Sequence, residues 1–405
     1  MKAILLDMYR FFRYLLHRYI KDGMLCKIRA YDGIEATPLS NESVTFFGYY
    51  GVSPDNARGD ILFLAVSNEK VRGSLHESAR IMLKDRNGMV SELAKTPAWN
   101  WQQGCMLNWL GASLDQVIYN DYEESSDRYC ARILDVRSGA CKTISRPIFH
   151  VSDRGDFALS LSFERLAVMR PDYGYFNRAI DEKGLLPEDE DGIWLIDLVK
   201  DESRLIISLD QLKNLNYVSS MEGAMHKVNH LEFAPDGKRF MFLHRWKGPM
   251  GRFMRLLTAN YDGSDLVVLN GDVMTSHSCW LTSKQILSYC EYKGHRGYFA
   301  FTDKSSKVEL YSKQMPSEDG HPSILNNGMG IVCDTYPGKS RISKLIMVNQ
   351  ETGNKRILLK AYQPFKYAKE MRVDMHPKVG SSGKTIFIES GHTGCRRLYQ
   401  VKGFR

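Results

Sequence analysis

Several absences narrow the possibilities for this chain. No run reaches the roughly 18 consecutive apolar residues that a membrane-spanning helix needs. None of the eight cysteines forms a CxxC pair or a knuckle spacing, so reduced, mostly buried thiols are expected and a disulfide framework is excluded. A GxSxG nucleophile elbow is missing, which removes an arrangement that includes a serine-hydrolase domain. Charge of one sign is missing too: 55 lysines and arginines face 47 aspartates and glutamates, giving +8. That surplus suits an acidic ligand and is too weak to indicate nucleic acid. With 43% hydrophobic and 25% charged residues over 405 positions, the chain has ample material for a core and disorder is excluded.

Within the N-terminal segment 1–23, Met1 to Lys21 is apolar enough to invite a signal-peptide reading, but Asp7, Arg10, Arg13, His17 and Arg18 interrupt any hydrophobic region and no small-residue cleavage site follows. A cytoplasmic location is therefore expected. Leu5, Met8, Phe12, Leu15, Leu16 and Tyr19 fall at helical spacing beside basic positions, which predicts a short amphipathic helix. Such a helix either packs on the protein body or touches a membrane surface or a partner.

From residue 24 onward one phrase recurs: a short apolar strand, a turn of Ser, Pro, Asp, Gly and Lys, then a second apolar strand. It occurs seven times, in FFGYYGVSPDNARGDILFLAV (46–66), MLNWLGASLDQVIYN (106–120), IFHVSDRGDFALSLS (148–162), NHLEFAPDGKRFMFL (229–243), SCWLTSKQILSYC (278–290), GIVCDTYPGKSRISKLIMV (330–348) and MHPKVGSSGKTIFIES (375–390). Seven units share about 350 residues, roughly 50 each, which is the size of a four-stranded propeller blade. One such sheet cannot cover both of its apolar faces; a closed ring of them can. The prediction is an all-β chain, a seven-bladed β-propeller over 24–405, with an open sandwich or two barrels as the alternative. Residues 164–192 carry an insertion of the length typical of a functional loop or lid. Residues 24–30 are expected to complete the last blade, which has only three strands' worth of chain.

Several motif-like stretches carry no chemistry. GSSGKT (380–385) lacks the first glycine of a phosphate loop, and a strand follows it. EDEDG (188–192) resembles a calcium loop but places Pro187 and Leu198 at ligand positions. Asn41 opens a glycosylation triplet that is idle in a cytosolic chain.

In a propeller all innermost strands run in one direction, so residues at their starts, and in the loops joining second to third strands, surround one mouth of the axial channel. This rule gathers nine of the eleven histidines, all but His17 and His321. Imidazoles suit metal ligation and proton transfer near neutral pH. His226 and His230, four apart on a strand, are expected to share the channel side, one or both of them catalytic or in contact with substrate. His277, Asp374 and His376 offer two imidazoles and a carboxylate, a possible cage for Mn or Zn. The competing view is a carboxylate that orients a histidine with no metal.

HKVNHLEFAPDGKRFMFLHRW, SHSCW and DMHPKVGSSGKTIFIESGHTGCRRLYQV resemble stretches of the oligogalacturonate lyases, seven-bladed polysaccharide lyases to which ulvan lyases are more distantly similar. The resemblance covers roughly residues 220–405. It implies manganese among histidines at the channel mouth and a histidine that abstracts the C5 proton of a uronate. By position it makes His277 a metal ligand and His376 the first histidine of an HPH motif whose second histidine is Lys378 here. The family's glutamine ligand has no clear match, Asp374 being nearest, and the proton-abstracting histidine falls near His226 or His230.

The expected chemistry is β-elimination from an acidic oligosaccharide or polysaccharide. Arg245, Arg252, Arg170 or a cation would neutralise the carboxylate; His230 or His226 would act as base and Tyr173 or Tyr175 as acid. Trp99 and Tyr50 would stack on sugar rings, and His244 and Arg296 would contact substrate. The alternatives are a non-catalytic glycan-binding or scaffold propeller in surface-polysaccharide metabolism, and a glycoside hydrolase, which would need paired carboxylates that the sequence does not place.

Overall fold

A computed structural model describes residues 2–21, 23, 24, 26–31, 33–70, 77–271, 274–325, 328 and 330–404, with side chains described from residue 8 onward. Its strands form seven antiparallel sheets in sequential order, six of four strands and one of five. The protein is a seven-bladed β-propeller with an N-terminal helix, Lys2–Leu15, extended by a wider π-helical turn, Leu16–Lys21. His76, one of the histidines expected near the mouth, lies outside the described residues.

In blades one and seven the second strand is apolar throughout its centre because it is covered on both faces. Ile61–Val66 is buried at every position, and Ile386–Ser390 likewise. Neighbouring blades pack these strands into shared clusters. Phe46, Phe63, Trp99, Trp101 and Trp109 fill the space between blades one and two, and Phe163, Tyr175, Leu195, Phe240 and Phe242 that between three and four.

Ring closure differs from expectation in its strand. Glu35–Pro38, not 24–30, completes blade seven by pairing with Arg397–Lys402, while Ile28–Ala30 adds a fifth strand to blade six. The preference has a simple source: the chain must cross from blade six to blade seven before it can start blade one, and it leaves a strand on each. Closure is fixed by Glu389, which is fully buried. One of its oxygens accepts from the amides of Phe47 and Gly48 at 3.2 and 3.1 Å in blade one, and the other from Arg396 at 3.1 Å. Gly48 is obligatory here: its φ is +133°, and a Cβ would lie 2.5 Å from the carbonyl oxygen of Gln103.

The insertion joins the second and third strands of blade three. It contains a helix, Phe163–Met169, and a single turn, Pro171–Tyr173. Arg165 fastens it by donating to Asp191 at 2.5 Å in a buried ion pair and to the carbonyl of Leu186 at 2.6 Å. This anchorage delivers Arg170, Asp172 and Tyr173 to the channel mouth.

Candidate active site

Four imidazoles meet at the axis, from His230, His277, His321 and His376. Ring centroids lie 5.8 Å apart for His230 and His277, 4.1 Å for His277 and His321, and 4.3 Å for His321 and His376. Tyr49 and Tyr50, which follow the blade-one inner strand Val44–Phe46, close the ring. Tyr49 lies 4.9 Å from His230 and 5.4 Å from His376, and Tyr50 lies 5.3 Å from His321.

Backbone irregularity places two of these histidines. His230 and His376 both adopt left-handed φ, +55° and +43°. At His230 the ladder between the inner strand Met225–Phe233 and its neighbour slips by a residue, which breaks the alternation of faces. His226 and His230 therefore do not share a side. His230 faces Tyr49, whereas His226 turns away to His244, with Nδ1 2.8 Å from Nε2 of that ring, beneath Trp246. Arg255 donates to the other nitrogen of His244 at 3.2 Å. His226 and His244 form a buried pair outside the channel.

On one side of the mouth, blades five to seven supply nitrogen and oxygen donors. His321 Nδ1 is held by Asp334 at 2.9 and 3.0 Å, which leaves its Nε2 buried with no protein partner. Asp334 also accepts from the backbone amides of His321 and His376, so one carboxylate orients both segments. His376 has neither ring nitrogen bonded, and Asp374 has one oxygen free while the other accepts from Arg372 at 2.6 Å. One donor atom from each of His321, Asp374 and His376 lies within 4.8 Å of the others, all three buried. The donor set fits a borderline divalent cation: a carboxylate-oriented imidazole, a second imidazole and an aspartate, each with an unsatisfied atom. Two of the three expected ligands are in this group. His277 is not in it: its Nδ1 is held by Asp319 at 3.0 Å, and His321 is the third member of the group.

Lys378, at the second histidine of the HPH position, is buried against the closing carboxylate. Its ammonium donates to the carbonyl of His376 at 2.9 Å and lies 3.7 Å from Glu389. It serves the ring closure.

The opposite side of the mouth is cationic. Lys227 and Arg245 are cross-strand neighbours in blade four, and Arg170 of the insertion adds a third charge, its guanidinium 4.6 Å over the Tyr173 ring and paired with Asp172 at 3.2 Å. Lys227 Nζ and Arg245 Nε are buried with no hydrogen-bond partner, as are both amide atoms of Asn229. Burial, then Arg245 and Arg170, push the Lys227 ammonium well below its ordinary range. Burial, with Arg170 beside it, brings Arg245 down to about 10.

His230 sits between the two sides. Its Nδ1 contacts the Tyr49 hydroxyl at 2.5 Å, and burial, followed by the charges of Arg245, His277 and His321, holds its pKa well below 6.5. It is a neutral imidazole in contact with a phenol. Tyr173 is close by, 6.1 Å from His230 between ring centroids, with its hydroxyl 3.5 Å from Arg372.

Other expected contacts fall elsewhere. Trp99 has no free face: it packs on Phe46 and Trp101 and donates to the carbonyl of Glu77 at 2.9 Å. Tyr175 is stacked on Phe163 at 4.3 Å and receives a bond from Asn120, so it is core. Tyr50 is buried, its hydroxyl donating to the carbonyl of Ser278 and accepting from that residue's amide, both at 2.9 Å. Arg252 is exposed at a hairpin end, and Arg296 is exposed and paired with Glu291 at 3.0 Å. Arg245, Arg170 and Tyr173 do converge with His230.

The residues missed from sequence are His321, Asp319, Asp334, Arg372 and Lys227. His321 opens the inner strand of blade six, Pro322–Ile324. The repeat at 330–348 corresponds to the second and third strands of that blade, where the other repeats mark the first and second. Shifting that unit by one strand would have placed His321 at the mouth.

No protein-family model and no curated protein sequence matches the chain. Solved structures do. An oligogalacturonate lyase in complex with manganese superposes with a TM-score of 0.63 at 14% identity, over 93% of this chain and 96% of that one. An oligogalacturonate lyase from Vibrio parahaemolyticus gives 0.61 at 13%, again over 93% and 96%. A puromycin-hydrolyzing peptidase of Mycobacterium tuberculosis gives 0.52 at 11%, over 86% of this chain and half of that one. At these identities the likeness is one of fold.

Proposed function

We propose that the protein is a lyase that cleaves a uronate-containing acidic glycan by β-elimination at the channel mouth. The observation that carries this reading is the position of the Tyr49–His230 pair, a neutral imidazole touching a phenol between unpartnered cations and an unsatisfied imidazole–carboxylate cluster. Elimination needs those three features together: charge to neutralise the C6 carboxylate, a base for the C5 proton and an acid for the departing O4.

Lys227 and Arg245, aided by Arg170, bind the carboxylate and so make the C5 hydrogen acidic. His230 takes that hydrogen. The electron pair of the C–H bond becomes the C4–C5 double bond, and the C4–O4 bond breaks. Tyr49, or Tyr173 beside it, gives a proton to the leaving oxygen. A divalent cation held by His321, Asp374 and His376 would supply further positive charge toward the carboxylate. The likeness to a manganese-bound oligogalacturonate lyase supports that assignment. The eight free cysteines support a cytoplasmic location.

A glycan-binding propeller without turnover is the second reading, favoured by Lys378 standing where the resembled family has a ligand histidine. One assay separates the two. Incubation with a panel of uronate oligomers and polymers, with Mn²⁺ supplied, is expected to raise ultraviolet absorbance from the unsaturated uronide with at least one substrate, and H230A is expected to abolish the rise. Binding without any absorbance change across the panel would refute the lyase reading and support the other.

A further inference from the structure

The N-terminal helix is attached by the wrong face for a helix that merely completes the core. Tyr14 packs edge-on against Phe365 at 5.0 Å, and one turn later the Arg18 guanidinium lies 3.9 Å over the Tyr362 ring and donates to the carbonyl of Met24. Those two residues are the buried ones between Met8 and Lys21. The apolar stripe lies elsewhere on the helix: Met8, Phe12, Leu16, Tyr19 and Ile20 are between 42% and 74% exposed. An amphipathic helix of a free-standing soluble protein puts that stripe on the body.

Charge identifies what covers it. At 100° per residue Arg10 and Arg13 fall along one flank of the stripe, and over residues 2–21 five lysines and arginines face one acidic residue, Asp7. A second copy of the helix would bring this excess of positive charge against itself, with one carboxylate per copy to offset it. An anionic lipid surface answers both features, taking the apolar stripe into the headgroup boundary and the basic flank onto phosphates.

The attachment point also fixes orientation. Tyr362 ends the outermost of the four core strands of blade six at the edge where His321 opens the inner one, as the successive antiparallel pairings require. The helix is thus on the channel-mouth side of the propeller.

We propose that this helix is an interfacial anchor for anionic bilayers and that it holds the channel mouth toward the lipid surface. The assignment is independent of the reaction. The test is flotation of the full chain with vesicles of phosphatidylcholine alone and of phosphatidylcholine with phosphatidylglycerol, for wild type, F12D/L16D and R10E/R13E, with sedimentation velocity on each. Wild type is expected to float with the phosphatidylglycerol vesicles, less so at high salt, and not with phosphatidylcholine alone. Two apolar-to-acid changes on the stripe are expected to weaken binding roughly 100-fold. R10E/R13E is expected to lose the anionic preference. Arg10, Phe12 and Leu16 are exposed and Arg13 is half-buried, outside the contacts that Tyr14 and Arg18 make with the body, and both variants are expected to melt as wild type does. Failure of wild type to float, equal flotation of F12D/L16D, or a wild-type dimer that F12D/L16D dissolves in the absence of vesicle binding would each overturn the proposal.

Discussion

Replacing Lys227 by methionine separates the cost of the site from its use. The side chain is 5% exposed and its ammonium has no partner, so the fold bears an unsatisfied cation beside Arg245 and Arg170. Methionine has similar length and no charge to desolvate. Relieving one buried unsatisfied group is expected to stabilise the protein by about 1 to 3 kcal/mol. At ~2.1 cal/mol/K of unfolding entropy per residue over 405 residues, that is a rise in Tm of about 1 to 4 °C. The pH dependence has a definite sign. The folded pKa is depressed below 10.5, so the unfolded chain binds more protons, and wild-type stability rises with pH up to that value. The advantage of K227M is therefore largest at neutral pH and shrinks toward pH 10.5. Activity should move the other way: losing a charge-assisted contact to the carboxylate costs about 2 to 3 kcal/mol, roughly 30- to 150-fold in kcat/KM. Urea melts at pH 7 and 10, with turnover on the best substrate of the panel, supply both readings. A destabilised K227M, or one with unchanged kcat/KM, would refute the assignment of this lysine to an anion.

Y49F is expected to lower kcat about a hundredfold, because it removes a proton donor, and to cost about 1 to 3 kcal/mol of stability, because a buried nitrogen of His230 loses its partner; stopped assays beside thermal melts check both. Mn²⁺ at about 100 times its Kd should stabilise wild type by ~2.7 kcal/mol, and this increment should vanish in H321Q and H376A, as measured by denaturant unfolding with and without metal. Glu232 is half-buried, and loss of solvent around its carboxyl, with the charge of Asp153 adding to it, pushes its pKa up to about 8 from 4.5. The folded protein then binds more protons than the unfolded chain between those values, so wild-type stability falls as pH rises from 4.5 to 8, and E232Q should flatten that part of the profile in a pH series of melts.

The ring of blades was legible because its cause is local: each Pro-Asp-Gly-type turn between apolar strands declares a two-stranded unit, and seven of them need mutual cover. The helix was legible for the same reason. The site was legible only in part, because three of its determinants are not local. A left-handed residue is invisible in composition, so the spacing of His226 and His230 predicted a shared face that the ladder slip at His230 abolishes. Blade six begins with a three-residue strand and a proline, too short to read as a strand, which hid His321. Trp99 and Tyr175 are aromatic at the expected chain positions, but inter-blade packing takes their faces before any ligand can.

The two left-handed histidines link these levels. Apart from Met106, the other non-glycine residues with positive φ lie in turns and connecting loops, whereas His230 and His376 belong to innermost-strand segments at the axis. Each such conformation costs on the order of 1 kcal/mol and persists only where its surroundings hold it. The holding groups are present: Asp334 grips the amide of His376 at 3.1 Å, and the hydroxyl of Tyr49 grips the ring of His230. A regular inner strand would point alternate side chains up the axis and leave the ones between them against the next blade. By breaking that alternation at two points, the propeller turns an ordinary lining into a convergent one. Imidazoles from blades four and seven thereby meet those of blades five and six within 6 Å. Strain at the mouth, burial without partners and opposed charge on its two sides are costs to folding that a bound anionic ligand offsets.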